Sequence, residues 1–142
     1  MKKLLPLVLF TIGILTACSP SSNALEISDA WARPTSAGEN GAAYFVIDNG
    51  TTSDDVLLSV SSDIANASEV HMSMADGNGV MSMAMQEMVE IPARSKVEFK
   101  TGGLHVMFIA LNRDLKVGDS FSLVLNFKNS GNMTIEVVVR EY

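Results

Sequence analysis

The chain has 142 residues, of which 10 are Lys or Arg, 16 are Asp or Glu and 1 is Cys, and its net charge at pH 7 is −6. This length allows one domain with its own hydrophobic core. The acidic balance argues against a general nucleic-acid binder, so no nucleic acid is expected as a partner.

Residues 1–17 contain Lys2 and Lys3, followed by an apolar run that ends in small residues. This pattern is typical of a secretory signal peptide, which is therefore left out of the fold. Its removal leaves 8 basic residues against 16 acidic ones. The exported part is then strongly acidic.

The end of this segment, Leu15-Thr16-Ala17-Cys18, resembles the lipobox of bacterial lipoproteins, in which the cysteine is acylated and becomes the new N-terminus. We therefore expect Cys18 to anchor the protein to a lipid bilayer, with residues 18–24 forming the anchor and a short polar tether. The expected location is periplasmic, and Ser19 favours the outer membrane if the source has two membranes. Ordinary cleavage near Ser22-Asn23-Ala24 is the alternative, and it would release a soluble exported protein.

Residues 25–142 carry short alternating or apolar runs separated by Gly, Asn, Asp and Ser, and no stretch keeps a helical period for long. This pattern predicts an all-β fold with a single β-sandwich domain. The predicted strands, in chain order, are 25–32, 42–48, 55–60, 68–74, 80–85, 95–100, 104–110, 119–127 and 132–140.

Methionine and histidine are concentrated in one part of the chain. Seven of the nine methionines fall between positions 72 and 107, and the two histidines, His71 and His105, bracket the same stretch. Methionine fills irregular cores well, and we expect Met72 and Met74 to face the core beside Val70.

The predicted strand 104–110 separates two kinds of side chain. Successive residues of a strand point to opposite faces, so Leu104, Val106 and Phe108 share an apolar face. His105 and Met107 share the other face, and Met83 lies on a candidate partner strand. An imidazole and a thioether therefore stand side by side on a face that packing does not explain.

These residue types favour copper. Thioether sulfur prefers Cu(I), and imidazole binds either oxidation state of copper.

Other kinds of site are excluded from the predicted domain, because the single Cys precedes it. These are disulfides, Cys nucleophiles and the Cys-containing site of an electron-transfer cupredoxin. No Ser-His-Asp or paired-carboxylate constellation is apparent, so the protein is not expected to be an enzyme. Neutral ligands favour a carrier that releases its copper.

The pattern His71, Met72, ten residues, Met83, twenty-one residues, His105, Val106, Met107 resembles the metal motif of the periplasmic copper chaperones of the PCu(A)C family. Flanking segments are also similar to that family, and they are 30–34, 41–45, 91–93, 102–107 and 115–119.

The resemblance implies a cupredoxin-like Greek-key β-sandwich that binds one Cu(I) through His71, Met83, His105 and Met107, with Cu(II) as a further candidate. It also implies delivery of copper toward the Cu(A) centre of cytochrome c oxidase. The implied partners are a thioredoxin-like Sco protein or subunit II of the oxidase. Met81 and Met85 share the strand face of Met83, so either is a candidate to substitute or assist.

Two other functions stay open at this point. One is a copper-tolerance or copper-storage lipoprotein of the cell envelope. The other is a structural or binding lipoprotein without a metal, whose methionines only pack.

Trp31 and Tyr44 are interpreted as core fillers, since aromatic residues in a β-sandwich usually have that role.

Overall fold

The computed structural model describes residues 23–141, and within them the chain is all-β. The predicted signal peptide and Cys18 lie outside the described residues. The ten strands are β1 Leu25–Ala32, β2 Gly41–Asn49, β3 Asp55–Ser61, β4 Ala65–Ala75, β5 Met81–Met85, β6 Val89–Ile91, β7 Ser95–Phe99, β8 Leu104–Leu111, β9 Ser120–Phe127 and β10 Gly131–Val139.

The strands are hydrogen-bonded in the order β5-β4-β8-β7-β2-β1-β10-β9-β3-β6, with a further pairing of β8 and β2. Most neighbours are antiparallel, whereas β1 with β10 and β7 with β8 are parallel. The sheet folds over on itself, because Phe108 of β8 meets Phe121 of β9 at a ring-centroid distance of 5.4 Å although several strands separate them in the order. The result is the predicted β-sandwich.

The core lies between the two layers and contains residues from nearly every strand. Its largest fully buried side chains include Phe45, Phe108 and Phe127. On β8 the buried residues Val106 and Phe108 point into this core. The predicted division of this strand into an apolar face and a His/Met face is therefore observed.

The predicted strands all exist, with bounds that shift by up to three residues at their ends. The sequence reading missed β6, Val89–Ile91, which pairs with β3. A strand of three residues directly before Pro92 is too short to show a period of two.

A hairpin at one end of the sheet carries several of the methionines. Asp76 holds its turn, since one carboxylate oxygen accepts the backbone N–H groups of Asn78 and Val80 at 2.8 Å. Gly79 adopts a φ of 80°, a left-handed conformation that favours glycine. β5 is therefore an edge strand that pairs with β4, and residues 74–83 are all exposed. No helix within residues 23–141 is long and apolar enough to cross a membrane.

Candidate metal centre

Three neighbouring strands bring the predicted ligands to one face of the sheet. His71 of β4 lies directly opposite His105 of β8, and their ring centroids are 6.0 Å apart. A metal–nitrogen bond is about 2 Å long, so this separation allows both rings to bind one ion. His105 is buried, with 7% of its surface exposed.

Met83 and Met107 lie on the same face of the sheet as His105. All three residues line one cleft of about 450 Å³. Met107 stands two residues from His105 on β8, whereas Met83 comes from β5, which is separated from β8 by β4. The candidate pairing of the Met83 strand with the His105 strand is wrong, because β5 pairs with β4, and β4 lies between β5 and β8.

Glu69 determines which nitrogen of His71 is free. Its carboxylate oxygen Oε2 lies 2.9 Å from His71 Nε2. A carboxylate can only accept, so in the neutral imidazole Nε2 carries the proton and Nδ1 carries the lone pair. His71 Nδ1 is buried and has no hydrogen-bond partner. A buried acceptor without a donor is costly, and a soft cation on the same face would satisfy it.

His105 is held in the opposite tautomer. Its Nδ1 lies 3.0 Å from the carbonyl oxygen of Gly103, which can only accept. In the neutral ring Nδ1 is then the donor, and the lone pair of Nε2 is left for a ligand. Metal-binding histidines commonly donate their second N–H to a carboxylate or a backbone carbonyl. Both histidines show this arrangement.

Tyr44 forms a wall of the cleft, with its ring centroid 6.5 Å from that of His105. Trp31 contacts it on the other side at 4.7 Å. The irregularity in β1 between Ser28 and Trp31 places Trp31 opposite Tyr44. Trp31 is only partly buried and lies outside the buried cluster between the layers, so the expectation that it fills the core is wrong. Tyr44 is buried, as expected of a core filler, but it also lines the cleft.

The expected placement of Met74 in the core is also wrong, because half of its surface is exposed. It lies where β4 runs into the exposed hairpin, so the opposite layer does not cover it. Met72 is partly buried and lies opposite Leu104. Met85 is directly opposite His71, and neither of these two residues lines the cleft.

Sequence reasoning missed Glu69 and Tyr44 as residues of this site. The spacing Glu69-x-His71 was available, since residues two apart on a strand share a face. Tyr44 carried no such signal, because only the pairing of β2 with β8 brings it near His105. Among residues 23–141, no three side chains of His, Cys, Asp or Glu are grouped as a metal site.

Comparison with known proteins assigns the chain to a family. The family model named LpqE-like, a lipoprotein family by description, matches residues 25–139. The chain belongs to the LpqE-like family. "Uncharacterized protein RP573" of Rickettsia prowazekii (strain Madrid E) is 30% identical over 125 residues, which cover 84% of this chain and 68% of that relative.

Solved structures show the same fold as this LpqE-like chain. "Copper-bound PCuAC domain from PmoF2" has a TM-score of 0.70 and 22% identity, covering 87% of this chain and 97% of that one. "Solution structure of CuI-DR1885 from Deinococcus Radiodurans" has a TM-score of 0.62 and 24% identity, with coverages of 87% and 85%. The predicted cupredoxin-like β-sandwich and the resemblance to the PCu(A)C family are confirmed. All strands of the LpqE-like site lie within the matched residues.

Proposed function

We propose that this protein is an extracytoplasmic Cu(I) metallochaperone that binds one copper ion through His71, Met83, His105 and Met107. The observation that carries the proposal is the cleft lined by Met83, His105 and Met107, with the ring of His71 centred 6.0 Å from that of His105. The names of the two solved relatives, one copper-bound and one with Cu(I), support the choice of metal.

The donor set favours Cu(I) over harder ions. Thioether sulfur is a soft ligand, whereas Mg²⁺ and Ca²⁺ prefer carboxylate and carbonyl oxygens. The unpartnered Nδ1 of His71 supports this assignment. The hydrogen bond from Nε2 to Glu69 leaves the lone pair on Nδ1, where it is available to bind a metal ion. A copper ion bound to Nδ1 of His71 would satisfy this buried acceptor.

Delivery by ligand exchange fits the exposure of the site. Met83 is 58% exposed, so a partner can reach the copper from this side. An incoming thiolate would form a bond to copper while a neutral thioether leaves, and copper would remain Cu(I) throughout. The proposed acceptor is the Cu(A) centre of cytochrome c oxidase, reached directly at subunit II or through a thioredoxin-like Sco protein.

The first test is an anaerobic Cu(I) titration of the purified protein against a coloured Cu(I) chelator. We expect one tight equivalent, and we expect Met83→Leu to weaken it by at least about tenfold. Met88→Leu is the matched control, because Met88 is equally exposed at 58% but lies outside the cleft. Equal affinities for the wild type and Met83→Leu would contradict the ligand assignment.

The second test separates a carrier from a store. The copper-loaded protein is mixed with an apo Cu(A) domain that offers two thiolates, and the copper content of both proteins is measured after separation. A carrier gives its copper to the acceptor. Retention of copper on this protein would favour the tolerance or storage function instead.

The lipid anchor is part of the same proposal. The membership in a family described as lipoproteins supports acylation at Cys18. We expect Cys18→Ser to move the protein from the membrane fraction to the soluble fraction without changing the Cu(I) affinity of the domain. Mass spectrometry of the mature N-terminus would detect the acyl chains, and an unmodified N-terminus beyond Cys18 would contradict anchoring.

A further inference from the structure

The edge strand β5 exposes more thioethers than one copper ion needs. Met81, Met83 and Met85 are each more than half exposed, although methionine that serves as packing material is usually buried. Since residues two apart share a face of a strand, all three lie on the face that carries His71 and His105. Met83 is in register with Ser73, which lies two residues from His71 on β4 and therefore shares its face.

Within this group, Met81 is the one that joins Met83 in the cleft. Both line it together with His105 and Met107, whereas Met85 does not. Along a strand, side chains two positions apart are about 7 Å from each other. Met81 is opposite Ala75 and adjoins the hairpin turn, so it stands at the outer end of the row, farther from His71 along the strand than Met83.

We propose that Met81 is an outer thioether ligand, which binds Cu(I) transiently while the ion enters or leaves the site at His71, Met83, His105 and Met107. The inference rests on the proposed function. Methionine has three rotatable bonds, so the two sulfurs can approach one ion from neighbouring positions. As the ion moves inward, a bond from copper to Met81 sulfur breaks while a bond from copper to an imidazole forms. The thioether is neutral in both states, so no proton or electron is transferred.

A transient ligand has a kinetic signature. It lowers the barrier in both directions, so its loss slows loading and release by the same factor and leaves the dissociation constant unchanged. Leucine has nearly the volume of methionine and lacks the sulfur. Met81→Leu therefore removes the ligand and keeps the apolar surface of β5.

The experiment is anaerobic stopped-flow transfer of Cu(I) from a coloured Cu(I) chelator to the full apo-protein, and back to excess chelator. We expect Met81→Leu to slow both rates by about tenfold, which corresponds to about 1.4 kcal/mol of barrier, with less than a twofold change in affinity. Met88→Leu, with the same exposure outside the cleft, is expected to keep the wild-type rates. In parallel, ¹³C-methyl NMR of the methionines is expected to show the Met81 signal shifting when less than one equivalent of Cu(I) is added.

Each other outcome overturns the inference in a distinguishable way. Wild-type rates in Met81→Leu would show that the ion does not use this thioether. A loss of affinity with faster release and an unchanged loading rate would make Met81 a ligand of the final complex instead of a transient one. If the wild type itself takes no copper from the chelator, the proposed function fails and the role of Met81 fails with it.

Discussion

Glu69 and His71 stand two residues apart on the same face of β4, and the Glu69 carboxylate accepts a hydrogen bond from His71 Nε2–H at 2.9 Å. This contact aligns the imidazole and assigns its lone pair to Nδ1. It also places a negative charge next to a site whose four proposed ligands are neutral. The carboxylate therefore acts in two ways, through the orientation of the ring and through the partial compensation of the charge of Cu⁺.

The first prediction concerns this carboxylate. Glu69→Gln keeps the length of the side chain and its acceptor oxygen but removes the charge, so the Cu(I) affinity is expected to fall by about tenfold. Glu69→Ala also removes the hydrogen bond, and we expect a fall toward the upper end of the range of about 10–100-fold. Competition with a Cu(I) chelator measures both.

A second measurement distinguishes a direct effect of Glu69 on the His71 ring from a general effect on the fold. The ¹⁵N shifts of the His71 ring should report the Nε2-protonated tautomer in the wild type and a mixture of tautomers in Glu69→Ala. Glu98→Gln is the control, since Glu98 contacts Lys100 on the surface. Unchanged affinity and unchanged tautomer in Glu69→Ala would refute the assigned role.

The second prediction uses the two faces of β8. Met107→Leu conserves volume, so we expect a change in unfolding free energy below about 1.5 kcal/mol together with a clear loss of Cu(I) affinity. Phe108→Ala, one position along, empties a fully buried site and is expected to cost about 3–5 kcal/mol of stability. Urea unfolding of the apo-proteins and chelator competition measure the two effects. A loss of stability without a loss of Cu(I) affinity in Met107→Leu would show that Met107 packs in the core and does not bind copper.

The alternation along β8 was predictable because a period of two assigns every residue of one strand at once. His105 and Met107 could therefore be placed on a common face from the sequence. The strand that lies between Met83 and His105 could not, since strand order depends on contacts far apart in the chain. The same applies to Tyr44, which reaches the cleft only through the pairing of β2 with β8.

Met74 shows a second limit of the sequence pattern. It alternates with Ser73 as a core residue should, and yet it is exposed. Alternation gives the face of a strand but not whether a second layer covers that face. In this fold the β4–β5 hairpin runs past the end of the layer that covers the face of Met74.

The third prediction distinguishes two methionines on β5. The register puts Met85 directly opposite His71 and puts Met83 one diagonal position away, but only Met83 lines the cleft. We therefore expect Met85→Leu to change the Cu(I) affinity less than twofold, in contrast to Met83→Leu. The same chelator competition compares the variants. A larger loss of Cu(I) affinity in Met85→Leu than in Met83→Leu would show that Met85, and not Met83, is the copper ligand on β5.

The fourth prediction concerns the stability of the fold at Asp55, which does not line the cleft. Asp55 begins β3, is 4% exposed, and accepts hydrogen bonds from the backbone of Val56 and Asn129 and from both the backbone and the hydroxyl of Ser130. These bonds fix the turn between β9 and β10 against β3. Asp55→Asn replaces an acceptor oxygen with a donor group, so we expect a loss of about 1–3 kcal/mol at pH 7, measured by urea unfolding.

The same carboxylate gives this loss a pH dependence. Burial alone would raise the pKa of Asp55, but the hydrogen bonds from Ser130, Asn129 and Val56 together lower it below its ordinary value of 3.8. Because the pKa is lower in the folded state, the stabilisation is fully present well above pH 3.8 and is lost as the pH falls through the lowered value. The difference in stability between the wild type and Asp55→Asn should therefore be constant between pH 6 and 7 and narrow toward pH 3, as estimated from the linkage of folding to proton binding. Subtracting the stability of the variant from that of the wild type isolates the contribution of Asp55, so a difference that stays constant to pH 3 would contradict the role of its ionised form.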